Sequence, residues 1–290
     1  MTATARQGHG VVQTLVTDDA PARKHWKIAD IRYDAIDHDA IVGNEDLFYL
    51  LMSASFVEMG SDTYAANLGQ HYAAYPDIKD WLVDEWEHEE LQHGESLRRY
   101  VEAVWPSFPW QQAYDSFFAE YSQLCTMEEL FPDRRLEMVA RCVVETGTTA
   151  YYHTLRSLSE EPVLTELLGN IRSDEVGHFK HFLAYFKTLQ AQAPVGRTRI
   201  AGALYSRLKE LRESDSDVAL RHVFAHKGAL FSEPQRKFDA VAQRIYQLIS
   251  TGLPADLAVR MLLKPLLLPP KVESYLHAPI SKLACRLMAY

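Results

Sequence analysis

Glu58 is followed 32 positions later by Glu90-Leu-Gln-His93, and Glu145 is followed 30 positions later by Glu175-Val-Gly-His178. Half of a metal site is thus written twice, in the same order and at nearly the same interval. Four carboxylates and two imidazoles can hold two cations, and sets rich in carboxylate with one imidazole per ion suit iron or manganese rather than zinc, whose structural sites favour thiolates. The three cysteines, Cys125, Cys142 and Cys285, show no metal-binding spacing. Two irons are therefore expected, with manganese able to substitute, and redox chemistry with oxygen is the natural use of such a pair.

Each donor falls inside a helical pattern. Side chains three or four apart share a helix face, and this walk joins Trp86, Glu90, His93, Leu97 and Tyr100. The same step joins Leu51, Ala54, Glu58, Ala65 and Leu68 in a first helix, Met138, Cys142, Glu145, Thr149 and Tyr152 in a third, and Leu168, Ile171, Glu175, His178, Phe182 and Tyr185 in a fourth. The carboxylates therefore lie on apolar stripes that face a core. Burying four unpaired carboxylates would cost several kcal/mol each, whereas two divalent ions balance them charge for charge. A four-helix bundle with a di-metal core satisfies these demands.

Two further acids, Glu89 and Asp174, directly precede ligand glutamates. Each is placed to take the outer N–H of a histidine across the bundle and so fix its tautomer. A competing motif, Glu85-Trp-Glu-His88, lies five residues before the first Glu-x-x-His, about 500° around a helix. It faces elsewhere, among Asp84, Glu87 and Lys79, as a solvated surface would.

These residues resemble the soluble acyl carrier protein desaturases of the ferritin-like di-iron superfamily. Glu58 with Thr63-Tyr64 is similar to that family's first-helix motif. Trp86, Glu90, His93, Gly94, Leu97 and Tyr100 match its second helix position for position, although Leu91-Gln92 replaces the usual Asn-Arg. Thr148 resembles the family's threonine beside the oxygen-binding face, and Asp174-Glu175-x-x-His178 resembles its last ligand motif. The run Glu145-Thr-Gly-Thr-Thr-Ala-Tyr-Tyr-His is also similar to aldehyde deformylating oxygenases, which would give Thr149 the role of Thr148. An arylamine N-oxygenase would carry another histidine where this chain has Ile171. The resemblance covers roughly residues 45 to 190. It implies an all-α, ferritin-like fold with Glu58, Glu90, His93, Glu145, Glu175 and His178 as iron ligands, an oxygen-activating oxidase or oxygenase that desaturates or hydroxylates an aliphatic, acyl substrate, and a symmetric homodimer. Iron as the substrate itself, in a ferroxidase or peroxide-detoxifying protein of the ferritin and rubrerythrin kind, is the alternative, but no Cys-x-x-Cys rubredoxin module is present.

Phe56, Cys142, Tyr152, Phe179, Phe182 and Tyr185 would supply an apolar pocket beside the metals. With no flavin or nicotinamide motif, electrons would come from a separate donor such as a ferredoxin. From residue 195 onward fifteen Lys/Arg stand against eight Asp/Glu in a chain of net charge −9. Arg207, Lys209, Arg212, Arg236, Lys237 and Arg244 are candidates for a patch that meets an acidic carrier protein or a carboxylate substrate. The overall acidity gives nucleic acid no footprint.

At 290 residues and 47% hydrophobic content the chain can bury a large core as one domain. Residues 1–24 read as a flexible start, 25–290 as a single helical domain, with the metal-binding bundle over about 44–192 and additional helices over about 198–290. Helix starts are predicted at Pro76-Asp77, Pro132-Asp133, Glu161-Pro162 and Ser232-Glu233-Pro234, and a break at Trp105-Pro-Ser-Phe-Pro-Trp110. No run approaches the ~20 apolar residues that span a bilayer. Together with an odd number of unpatterned cysteines, this predicts a cytoplasmic protein.

Overall fold

The computed structural model describes residues 25–211, 215–231 and 236–288. The predicted flexible start, Arg212 and the helix start at Ser232-Glu233-Pro234 lie outside the described residues, as does the side chain of Cys285. The described residues are helical, with no strand among them. After a single helical turn over His38–Ile41, the α-helices in chain order are α1 (Glu45–Met59), α2 (Ser61–His71), α3 (Pro76–Trp81), α4 (Glu87–Val104), α5 (Trp110–Tyr121), α6 (Arg134–Leu158), α7 (Pro162–Gln192), α8 (Arg197–Glu210), α9 (Asp215–His226), α10 (Phe238–Gly252), α11 (Ala255–Leu263) and α12 (Pro270–Met288).

Local chemistry sets the ends of the four helices that matter most. Asn44 accepts the Leu47 N–H at 3.0 Å to start α1, and Glu45 and Asp46 place negative charge in its first turn. Asp133 accepts the Arg135 N–H at the start of α6. Glu161 accepts the N–H groups of Val163 and Leu164, and Pro162 fills the first position of α7. The predicted break holds between α4 and α5, where Trp105 to Pro109 leave the helix.

Two expectations about the elements need correction. The first ligand helix does not continue through Ala65 and Leu68: the chain changes helix at Gly60, between α1 and α2. A Cβ there would stand 2.8 Å from the Tyr121 ring, so glycine is what permits this close approach. The second ligand helix is interrupted too, by a π-helical turn over Leu82–Trp86 that joins α3 to α4. Such turns are rare and recur at functional sites. Here the turn leaves Glu85 and His88 exposed while Trp86, Glu90 and His93 are buried, so the competing Glu-x-x-His faces outward.

Helices α1 and α4 pack as one pair and α6 and α7 as another, the latter joined by only three residues so that α7 folds back along α6. Contacts between α4 and α7 and between α1 and α6 close the bundle. Later helices lie against it, α8 and α11 on α6 and α9 on α1 and α5. The apolar interior divides in two. One cluster gathers Phe48, Phe56, Leu97, Tyr100, Phe117 and Leu168, and the other gathers Trp81, Trp86, Cys142, Phe179, Phe182 and Phe186.

Candidate metal centre

Glu58 from α1, Glu90 and His93 from α4, Glu145 from α6, and Glu175 and His178 from α7 converge in the bundle, none more than 7% exposed. They form two overlapping groups. Glu58, Glu90, His93 and Glu175 each bring one donor atom within 4.8 Å of the others, and so do Glu90, Glu145, Glu175 and His178. Glu90 and Glu175 belong to both groups, whereas each of the other four belongs to one. Each group could hold one ion, with the shared glutamates between them.

The histidines show how the site is oriented. His93 Nδ1 lies 3.2 Å from Glu175 and 3.6 Å from Glu90. His178 Nδ1 lies 3.1 Å from Glu90 and 3.6 Å from Glu145. These approaches lack hydrogen-bond geometry, and both Nδ1 atoms and Glu175 Oε1 remain buried without a hydrogen-bond partner. Buried polar atoms are rarely left so; a cation between them would satisfy all three, and the donor set fits iron or manganese. The opposite nitrogens are anchored. His93 Nε2 sits 3.1 Å from Asp174, and His178 Nε2 sits 2.8 Å from Glu89. The two acids that precede ligand glutamates thus each meet the histidine of the other half, leaving Nδ1 as the atom offered to a metal.

Electrostatics give the same picture. Burial, reinforced by the Glu90 and Glu175 carboxylates, raises Glu58 well above the ordinary carboxylate range. Burial likewise pushes Glu145 up to about 8. Burial acts upward on Glu90 and Glu175 as well, yet the two imidazoles outweigh it and hold both below that range. Burial alone would lower His93 and His178, but the carboxylates around them raise both well above 6.5. Protons on Glu58, Glu145 and both imidazoles therefore neutralise the metal-free cluster, and two divalent ions would replace these four protons.

The predicted threonines separate. Thr148 donates its hydroxyl to Glu175 at 2.6 Å. Thr149 is buried with no hydrogen-bond partner for its Oγ1, so its hydroxyl is the one free to meet another group. The predicted apolar pocket is not one wall: Phe56 and Tyr152 belong to the first cluster, and Cys142, Phe179, Phe182 and Tyr185 to the second. Nor is Tyr152 merely apolar, since its hydroxyl donates to Glu58. Its place two turns after Glu145 was the available signal for that contact. Trp26 has no such signal. It donates to Asp174 at 2.7 Å and stacks parallel to His93, 6.2 Å between centroids, from a segment remote in sequence from every ligand.

The predicted basic patch does not assemble. Arg207 is buried, 3.6 Å from Glu137, which also binds Arg141 at 3.0 Å. Arg236 and Arg244 face Glu45 and Asp46 at the start of α1. Of the candidates whose side chains are described, Lys209 and Lys237 are exposed without such a partner. Acids of the bundle thus hold Arg207 in the interior and keep Arg236 and Arg244, both exposed, against the start of α1. Among the described residues no helix is long and apolar enough to cross a membrane. The chain matches no protein-family model and no curated protein.

Proposed function

We propose that this chain is a ferritin-like di-iron oxidase or oxygenase that activates oxygen against a C–H bond of an aliphatic, acyl substrate, by desaturation or hydroxylation. The observation that carries the reading is the pair of buried four-donor groups sharing Glu90 and Glu175, each completed by one inward Nδ1. The likeness of the ligand motifs to the acyl carrier protein desaturases supports the substrate class.

Two irons held this way would supply redox equivalents for reducing oxygen, with electrons from an external donor such as a ferredoxin. The chain's own residues do the rest. Glu90 and Glu175 would serve both ions, while Glu58 and Glu145 would each serve one. Asp174 and Glu89 hold the imidazole rings with Nδ1 inward. The hydrogen bonds from Thr148 to Glu175 and from Tyr152 to Glu58 limit how those carboxylates can rotate. Thr149 keeps a hydroxyl available at the buried face of α6, where it can donate a proton or orient an oxygen atom. Side chains of both apolar clusters exclude bulk water, which strengthens every charge interaction inside.

Stopped-flow oxidation of the anaerobically iron-loaded protein, with and without fatty acids, acyl thioesters and aldehydes, tests this reading. Acceleration by one class supports it and names the substrate family. Rapid oxidation indifferent to every organic compound replaces it with ferroxidase chemistry.

A further inference from the structure

Arg207, Arg236 and Arg244, three of the cations that sequence suggested for an anion, are spent on ion pairs, but two other arginines are not. Among arginines whose side chains are described, all but Arg156 and Arg172 donate to, or pair with, a carboxylate or a carbonyl. Arg172 buries its Nε with no acceptor. Arg156 lies across α7 at Gly169, where an added Cβ would meet its Nε at 3.5 Å and its Cζ at 3.6 Å.

The register of the two ligand helices brings these residues together. Thr148 meets Glu175 and Arg156 meets Gly169, so α6 advances as α7 retreats, and His153 falls opposite Arg172. The imidazole of His153 is lowered by burial and then by Arg172 and Arg156, consistent with both guanidiniums lying nearby. Two arginines and a histidine thus share one stretch of the seam with no carboxylate paired to either arginine. Arg156 is exposed and Arg172 half-buried; the two guanidiniums repel one another, a repulsion that a bound anion would relieve, and their forks match carboxylate and phosphate oxygens.

We propose that Arg156, Arg172 and His153 form a binding site for an oxyanion headgroup, carboxylate or phosphate, at the α6–α7 seam. The seam leads from the metal cluster: His153 is eight residues beyond Glu145, about 12 Å along the helix, and Arg172 is about 4.5 Å before Glu175. An aliphatic chain held by its charged end here would extend toward Thr149 and the ligands. The headgroup site stands on the unpaired arginines alone; only the aliphatic tail rests on the oxygenase reading.

Calorimetric titration of the full chain with octanoate, octanol and inorganic phosphate tests the site, using the parent, the double variant Arg156→Gln/Arg172→Gln and Gly169→Glu. The last retains both arginines and sets a carboxylate against Arg156, so it serves even if the double variant folds poorly. Octanoate should bind saturably, at least tenfold more weakly to either variant, and octanol should not distinguish the three proteins. Competition by phosphate would mark a general oxyanion site, and its absence a carboxylate-selective one. Equal octanoate affinity in all three proteins, or no binding of either anion to the parent, overturns the proposal. Iron stoichiometry measured on the same proteins should be unchanged, so failure of the headgroup site and failure of the metal reading give different results.

Discussion

Glu90 and Glu58 look alike in sequence, each an acid on an apolar helix stripe, yet they carry unequal weight in the site. Glu90 serves both four-donor groups and Glu58 only one. Glu58→Gln should therefore leave one tightly held ion per chain and Glu90→Gln neither, as read by metal analysis after desalting. Protons provide a second measure. Glu145 is raised from 4.5 to about 8, so its contribution to stability is complete below about pH 4.5 and is lost as pH climbs through about 8. The raised histidines act in the same sense, present below 6.5 and lost above. The lowered Glu90 and Glu175 oppose this only in acid, below about 4.5. Metal-free protein should thus melt at progressively lower temperature between about pH 5 and pH 8, and loading with a divalent ion should release protons and flatten that slope. A melting temperature that rises over this interval without metal would show that the cluster is not neutralised by protons.

At the scale of elements, the closeness of α1 and α4 depends on one missing side chain. A Cβ on Gly94, the residue after His93, would stand 2.7 Å from the Met59 backbone nitrogen and 2.8 Å from its Cγ. Backbone cannot swing aside as a side chain can. Gly94→Ala should cost about 1–3 kcal/mol, visible as a lower denaturation midpoint, and should weaken metal retention because α1 carries Glu58 and α4 carries Glu90 and His93. The π turn before α4 belongs to this scale too. A pure 3.6-residue period would have carried Glu85 and His88 through a different rotation, so the face assigned to Glu90 and His93 was legible from their own neighbours but the turn itself was not. Likewise the 58–68 apolar walk passed through Gly60 because a period of three or four does not register a change of helix direction.

The whole molecule is joined by a buried charge triad. Glu137 on α6 holds Arg141 on the same helix and faces Arg207 on α8 at 3.6 Å, and it accepts the Phe131 N–H at 2.8 Å. Removing the acid leaves the buried Arg141 without its counterion and Arg207 with only Glu210, 3.1 Å away on its own helix. Glu137→Ala should destabilise the protein by about 3–5 kcal/mol, and hydrogen exchange should show α8 opening more readily than α1 or α4. Uniform protection across all of these helices would mean that α8 docks through its apolar face alone. This triad also removes Arg207 from the surface: position along the chain gives charge, while packing decides which charges meet.

The sequence alone determined the donor types, their spacing and the helices that present them, because each depends on residues within a few turns. The caps at Asp133 and Glu161 and the two Glu-x-x-His faces belong to this local class, as does the all-helical fold. Only the tertiary structure decided which groups meet. His93 finds Asp174 81 positions away, His178 finds Glu89 89 away, Tyr152 finds Glu58 94 away and Trp26 finds Asp174 148 away. Such pairs depend on the register between helices, which side-chain packing over their whole length sets and no local period encodes. The same register left Arg156 and Arg172 without carboxylates while pairing Arg207, Arg236 and Arg244.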